Sequence, residues 1–369
     1  MNGFMSFLKR EPVFCASAVL ALASCFFVPP DAGYAGYVDI RTVALLYCLM
    51  VVVAGLTEAG VLSAAGRALC ARAGNGRALA LALTALCFFS SMLVTNDVAL
   101  ITFVPFTAAL LDVGGRRGLM PRIAVLETVA ANLGSMLTSV GNPQNIYLYS
   151  KYGMRAGDFF KLTVPVCAVS LALLLSLCLC VKKTPLPMQT KEKVCVNARL
   201  AWVCAALFAL CIAAVLRLVG WYWALAGLAA VMLAVNRRLL LRADFMLLLT
   251  FVCFFVFVGN LGRIEAVSSW LRGAVTGKEL LAGALTSQVI SNVPAAALLS
   301  GFTENAGALL LGVNIGGLGT PVASLASLIT LKFCAAMPEV STVKYLLRFL
   351  AVNFSMLAVL LLFAGTVLV

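Results

Sequence analysis

The chain has 369 residues, 63% of them hydrophobic and 11% charged, whereas soluble domains run roughly a quarter charged and about half apolar. This excludes a soluble globular domain. The formal net charge of +13 is no nucleic-acid signature either, because Lys and Arg fall in short loops between apolar runs, as in the cytoplasmic connections of membrane proteins.

There is no histidine, which removes imidazole proton relays and most metal sites. No nucleophile–base pair suggests catalysis, so neither an enzyme nor a bound cofactor is expected. The thirteen cysteines lie mostly in apolar segments without a C-x-x-C pair and read as packing residues.

A bilayer span needs about 20 apolar residues. Lys9 and Arg10 before the run 13–28 imitate a secretory signal, but the many runs that follow predict a retained first helix. Residues 43–65 form the next span. The run 78–111 is interrupted by Thr95, Asn96 and Asp97. Read as two spans, each arm would have only about 15 residues. A re-entrant hairpin with a polar tip is therefore expected, and the basic loops on both sides of it (Arg67, Arg72 and Arg77; Arg116, Arg117 and Arg122) agree.

Residues 121–148 form the next crossing, broken at Asn132-Leu133-Gly134-Ser135 and Gly141-Asn142-Pro143-Gln144-Asn145. Unwound backbone at membrane depth is tolerated only against protein or water. Residues 158–181 lead to a basic loop at 182–199 (Lys182, Lys183, Lys191, Lys193, Arg199) that divides the chain. Spans at 201–218, 221–235 and 244–262 follow. The run 280–301, broken at Ser291, Asn292 and Pro294, reads as a second hairpin. Residues 306–331, broken at Asn314-Ile315-Gly316 and Gly319-Thr320-Pro321, and residues 344–369 close the chain.

Landmarks recur in order. Asp39 pairs with Asp244, Thr95-Asn96 with Ser291-Asn292, Asn132-Leu133-Gly134 with Asn314-Ile315-Gly316, and Gly141-Asn142-Pro143 with Gly319-Thr320-Pro321. The expected fold is an all-α polytopic membrane protein with about 9 spans and two re-entrant hairpins, in two inverted-topology repeats. Its parts are an N-terminal helix and loop (1–38), repeat 1 (39–181) with an inward-opening hairpin at 78–112, a basic loop and linking helix (182–220), and repeat 2 (221–369) with an outward-opening hairpin at 279–303. The protein is expected to be integral to the cytoplasmic membrane of a prokaryote, with the basic loops placing its N-terminus on the inner side. Inverted repeats with broken helices meeting at the midplane are transporter architecture.

Ser91 and Thr95 share a helix face, and Asn96 begins the break. Hydroxyls, an amide oxygen and freed carbonyls there make a neutral oxygen cage suited to Na⁺, with Gly141 offering a carbonyl. Ser287, Ser291, Asn292 and Gly319 would build its twin. Back-bonding to the preceding helical turn is the competing role for each hydroxyl. Helix N-termini aimed at the centre suit a small anion. Asp97 and Glu127 are carboxylates at membrane depth, hence functional candidates. Burial disfavours their charged forms, so Asp97 is a candidate proton carrier or cation ligand, and Glu127 a second proton candidate or a structural partner.

At these residues the chain resembles the ion transporter superfamily, closest in pattern to the divalent anion/sodium symporters and citrate-type permeases, whose hairpin tips carry a Ser-x-x-x-Ser-Asn-Thr motif. The resemblance implies a homodimer working as an elevator. It implies Na⁺ ligation by Ser91, Thr95, Asn96, Gly141, Ser287, Ser291, Asn292 and Gly319. Contacts to a di- or tricarboxylate carry over to Asn96, Asn142, Pro143, Asn292, Thr320 and Pro321. The chain departs from the pattern at the motif's third position, which is Asp97 in one hairpin and Val293 in the other. Asn-Asp at a tip resembles the arsenite permeases and some sodium/proton antiporters of the same superfamily, and implies coupling to H⁺ as readily as to Na⁺.

Overall fold

The computed structural model describes residues 11–71, 73–185, 195–337 and 340–369. Lys9, Arg10, Arg72, Lys191 and Lys193 of the basic segments lie outside them. Among the described residues all regular structure is helical, apart from one isolated bridge between Asn75 and Pro185.

The two halves run through the same sequence of elements. In the first, α2 (Ile40–Glu58) leads to a short helix α3 (Val61–Cys70), then the hairpin α4 (Gly76–Val94) and α5 (Asn96–Val113). A broken pair, α6 (Met120–Ser135) and α7 (Pro143–Lys151), follows, and then α8 (Ala156–Leu179). In the second, α11 (Phe245–Arg263) leads to the short α12 (Glu265–Val275) and the hairpin α13 (Glu279–Ile290) and α14 (Asn292–Leu299). The broken pair α15 (Ala306–Ile315) and α16 (Leu325–Ala335) and the final α17 (Thr342–Val367) complete it. Outside the repeats lie α1 (Pro12–Phe27), α9 (Ala198–Val215) and α10 (Trp221–Val235).

Local chemistry fixes the helix starts. The Asp39 carboxylate caps α2 by accepting from the Thr42 amide at 3.1 Å, and Asp244 caps α11 through the Leu247 amide at 2.9 Å. Such caps satisfy backbone donors that a helix start leaves orphaned. Asn75 does the same for α4 through the Ala78 amide at 3.0 Å.

Seven of the described helices have the length and apolarity to cross a membrane: α2, α4, α5, α8, α9, α11 and α17. Two expectations are corrected here. The span expected at 43–65 is split at Gly60, whose φ of 81° turns the chain between α2 and α3. α3 buries Leu62, Gly66 and Cys70, one face at i, i+4 and i+8, and α12 is its counterpart after α11, where no helix was expected. The first hairpin's arms are also longer than the expected 15 residues. α4 has 19 residues and α5 has 18, because Gly76 and Arg77 join the start and the helix continues through Asp112 and Val113. At 1.5 Å per residue the arms reach about 27–29 Å, so arm length does not argue for a half-crossing. The second hairpin is shorter, with arms of 12 and 8 residues.

The break in each hairpin is one strained residue. Thr95 has φ 70°, ψ 152° and Ser291 has φ 74°, ψ 154°, a region that almost only glycine occupies and that costs roughly 1–3 kcal/mol. The two tips therefore share one backbone solution.

The helices form two packed groups. α9 and α10 lie against α2, and α1 against α11. α4, α5, α6, α8, α16 and α17 pack on one another around a core that includes Leu83, Phe103, Ala130, Leu133 and Phe349. The thirteen cysteines are all free.

Candidate functional site

The centre of the molecule is where the two breaks exchange amide contacts. Asn132 on α6 accepts from the Ser324 hydroxyl at 2.8 Å and from the Asn96 side-chain amide at 3.0 Å, and donates to the Ser327 hydroxyl at 3.3 Å. Asn314 on α15 does the reverse. It accepts from the Asn142 amide at 2.9 Å and the Gln144 amide at 3.4 Å, and donates to the Asn145 side chain at 2.6 Å. Each repeat thus hands one asparagine to the other's break, and all the residues in this exchange are buried.

The exchange fixes the register of the repeat. Ser324 and Ser327 stand to Asn132 as Asn142 and Asn145 stand to Asn314, the same spacing that relates Asn132 to Asn314. The expected pairing of Gly141-Asn142-Pro143 with Gly319-Thr320-Pro321 is therefore shifted by four residues. The true partner of Thr320 is Thr138. The Thr320 hydroxyl donates to the Gln288 carbonyl at 3.0 Å, and the Thr138 hydroxyl donates to the Met92 carbonyl at 2.5 Å. Consequently Thr320 and Pro321 do not reach the centre, and Ser324 and Leu325 stand there in their place.

The two hairpin tips meet. Asn96, Asp97, Asn292 and Val293 line one small cavity of about 10 Å³ together with Pro143, Gln144, Leu247, Ser324 and Leu325. Beside it lies a cleft of about 550 Å³ between the two helix groups, walled by α2 from Leu46 to Glu58 on one side and by Thr95, Asp97, Val98, Ile101 and Thr102 on the other. Pro143 and Ile146 of α7, and Arg242, Asp244 and Leu247 at the start of α11, complete its lining. Asp97 borders both spaces. It is in the first turn of α5, where the helix dipole favours a negative charge, and its Oδ1 has no hydrogen-bond partner among the described residues. The cleft carries three carboxylates against one guanidinium. Glu58 and Asp244 are engaged, Glu58 by the Asn236 amide at 2.8 Å and Asp244 by its cap.

The remaining expected residues fall as follows. Ser91 is buried and its hydroxyl donates to the Phe88 carbonyl at 3.0 Å, while Ser287 donates to the Gly283 carbonyl at 2.7 Å, so both turn to their own helix. The Ser291 hydroxyl reaches the Ala323 carbonyl at 3.4 Å. Gly141 lies in the break, its amide bonded to the Thr138 carbonyl, and a Cβ there would stand 2.1 Å from the Ser135 carbonyl oxygen. Gly319 has φ 104° and packs against the Gln288 side chain. Glu127 is fully buried between α5 and α6, accepts from the Thr107 hydroxyl at 2.6 Å, and lines neither space. Asn132, Asn314, Gln144 and Gln288 were not anticipated as site residues. Their signal was the one that flagged Asp97, a polar side chain at membrane depth.

Comparison with known proteins places this architecture. The chain is 32% identical over 342 residues to the inner membrane protein YbiR of Escherichia coli (strain K12), covering 89% of each. It is 33% identical over 257 residues to the transporter MJ0456 of Methanocaldococcus jannaschii, covering 68% of this chain and 70% of that one. The crystal structure of the Alcanivorax borkumensis YdaH transporter shares its fold, with a TM-score of 0.58 at 14% identity over 90% of this chain and 86% of that one. The model of the citrate transporter family matches residues 5–311. A polytopic helical membrane protein with paired hairpins, broken helices and this match, the chain belongs to the citrate transporter family and is a membrane transporter.

Proposed function

We propose that the protein is a secondary active transporter that moves a small anion, of di- or tricarboxylate type, across the cytoplasmic membrane of a prokaryote, with H⁺ or Na⁺ taken up at Asp97. The observation that carries this reading is the Asp97 carboxylate, with one unpartnered oxygen, at the junction between the large cleft and the amide-lined centre. An uncompensated charge in such a place is costly. It is relieved by a proton or a bound cation, and that requirement ties ion uptake to the state of the cleft.

The side chains of Asn96, Asn142, Asn292 and Gln144 supply the polar groups for the cargo, and Pro143 shapes the wall beside them. Thr95, Asn96 and Asp97, with Ser91 and Gly141 behind them, are the residues that would hold Na⁺. Glu127 is a second proton candidate. The two hairpins act as re-entrant loops opening to opposite faces, with the N-terminus inside. The bundle of α4–α8 and α13–α17 moves as an elevator against a scaffold of α1, α2 and α9–α11 within a homodimer. The cleft between these groups supports that division.

One observation favours a second reading, cation/proton antiport or efflux of an arsenite-type oxyanion. Asp97 occupies the helix N-terminus that a cargo anion would otherwise use, and the cleft that leads to it is lined by Glu58 and Asp244 as well. Proteoliposome flux separates the two. Uptake of citrate, succinate or sulfate driven by a Na⁺ or H⁺ gradient, with its coupling lost in Asp97→Asn, is expected for symport. Proton efflux on adding Na⁺, lost in the same variant, marks antiport. Gradient-driven transport untouched by Asp97→Asn would remove Asp97 from both.

A further inference from the structure

The two hairpin–break junctions have the same backbone but not the same occupant. In repeat 2 the Gln288 side-chain amide donates to the carbonyls of Gly316 and Leu318, each at 2.9 Å, and to that of Ala284 at 3.1 Å. Its Oε1 accepts from the Thr320 amide at 2.8 Å. The group therefore lies among the carbonyls that the unwound segment frees, and these are the oxygens a cation would need. Gly319 is cut to admit it. A Cβ there would stand 2.2 Å from the Gln288 Oε1, and its φ of 104° disfavours a side chain in any case. The Ser291 hydroxyl at this tip is committed to the Ala323 carbonyl, while Ser287 turns to its own helix as Ser91 does in repeat 1.

The equivalent of Gln288 in repeat 1 is Met92. The spacing from Thr95 to Ser291 carries one onto the other, and the matched bonds from Thr138 to the Met92 carbonyl and from Thr320 to the Gln288 carbonyl confirm it. A thioether donates no hydrogen bond. In repeat 1 the Asn145 amide meets the break carbonyls of Met136 and Thr138 at 3.3 and 2.8 Å. What this junction adds is Thr95 and an Asp97 oxygen facing the cleft, the latter without a hydrogen-bond partner among the described residues. We infer that Gln288 is a built-in substitute for a cation, its NH₂ group permanently filling the repeat-2 junction, so that this transporter has a single coupling-ion site, in repeat 1.

The inference deepens the proposed function, because it rests on the junctions being where coupling ions bind, but its test does not pass through transport. The purified full chain is titrated with ²²Na⁺, and bound sodium is counted per chain in wild type, in Gln288→Ser and in the reciprocal Met92→Gln. Wild type is expected to hold at most one ion. Gln288→Ser, which strips the donor from the Gly316 and Leu318 carbonyls, is expected to hold one more ion than wild type. Met92→Gln is expected to weaken any repeat-1 sodium at least tenfold. A wild type without sodium and a Gln288→Ser with one ion would sustain the inference while removing Na⁺, but not H⁺, as the coupling ion. Two ions per wild-type chain would overturn it, with no need of a variant. So would a folded Gln288→Ser, with a cooperative thermal transition, that gains none.

Discussion

The two repeats solve one backbone problem in the same way and then part company in chemistry. Thr95 and Ser291 have φ and ψ within a few degrees of each other, and Asn132 and Asn314 reach across to equivalent partners. At three equivalent positions the side chains diverge. Asp97 corresponds to Val293, Met92 to Gln288, and Glu58 at the end of α2 to Arg263 at the end of α11. Repeat 1 carries Asp97 and the longer hairpin; repeat 2 carries Gln288 and the shorter hairpin. A duplicated frame can keep its geometry while concentrating titratable chemistry on one side, because caps, breaks and close helix contacts depend on small residues rather than on the functional ones.

The largest test of that equivalence is packing. Gly134 and Gly316 bring each broken helix against its hairpin. A Cβ on Gly134 would stand 2.1 Å from the Phe88 carbonyl oxygen, and on Gly316 2.7 Å from the Ala284 Cα. Gly134→Ala is expected to cost about 3 kcal/mol, the upper end for overpacking against backbone that cannot swing away. Gly316→Ala should cost roughly 1–2 kcal/mol, its clash being milder. Thermal midpoints of the purified variants check this. Alanine tolerated without loss at one site alone would mean that the contacts are not counterparts.

The strained tips sharpen the comparison. Glycine at Thr95 or Ser291 relieves roughly 1–3 kcal/mol of backbone strain and gives back about 0.5–1 kcal/mol as lost chain entropy. Both variants should therefore be more stable by about 1 kcal/mol. Thr95→Gly should gain the more, since a β-branched residue is worst at positive φ. Transport should fall in Thr95→Gly, which loses a hydroxyl from the cleft. A gain at one tip alone, read as a thermal shift, would break the correspondence between them.

Much of this was legible in the sequence because the determinants are local. Apolar runs, the Asp39 and Asp244 helix starts and the Asn-containing tips announce themselves. The register of the breaks was not legible. Gly-Asn-Pro and Gly-Thr-Pro look alike as strings, and only the contacts of Asn132 with Ser324 and of Asn314 with Asn142 show that they are offset by four residues. α3 and α12 were hidden for a different reason: α3 continues the composition of the span before it, and what separates the two is a single turn at Gly60. Gln288 escaped notice because a lone glutamine reveals its role only through the carbonyls it meets.

The smallest effect concerns the Glu58–Arg263 pair of positions. Glu58 meets the neutral Asn236, whereas Arg263 pairs with Asp31 at 2.7 Å in an exposed setting. The Arg263 guanidinium holds the Asp31 carboxyl below its ordinary value of 3.8. A carboxyl held low in the folded protein contributes stability above its unfolded value and loses it as pH falls through the folded one. Asp31→Asn should therefore lower the thermal midpoint slightly at neutral pH, and the difference from wild type should fade below about pH 4. Exposed pairs contribute little and are screened by salt. The same difference should thus shrink in about 1 M salt, where the Debye length is ~3 Å. A difference that grows in acid, or that ignores salt, would show that Asp31 acts through its bond to the Gly33 amide and not through the charge on Arg263. The electrostatic asymmetry between the two helix ends would then rest on Glu58 alone.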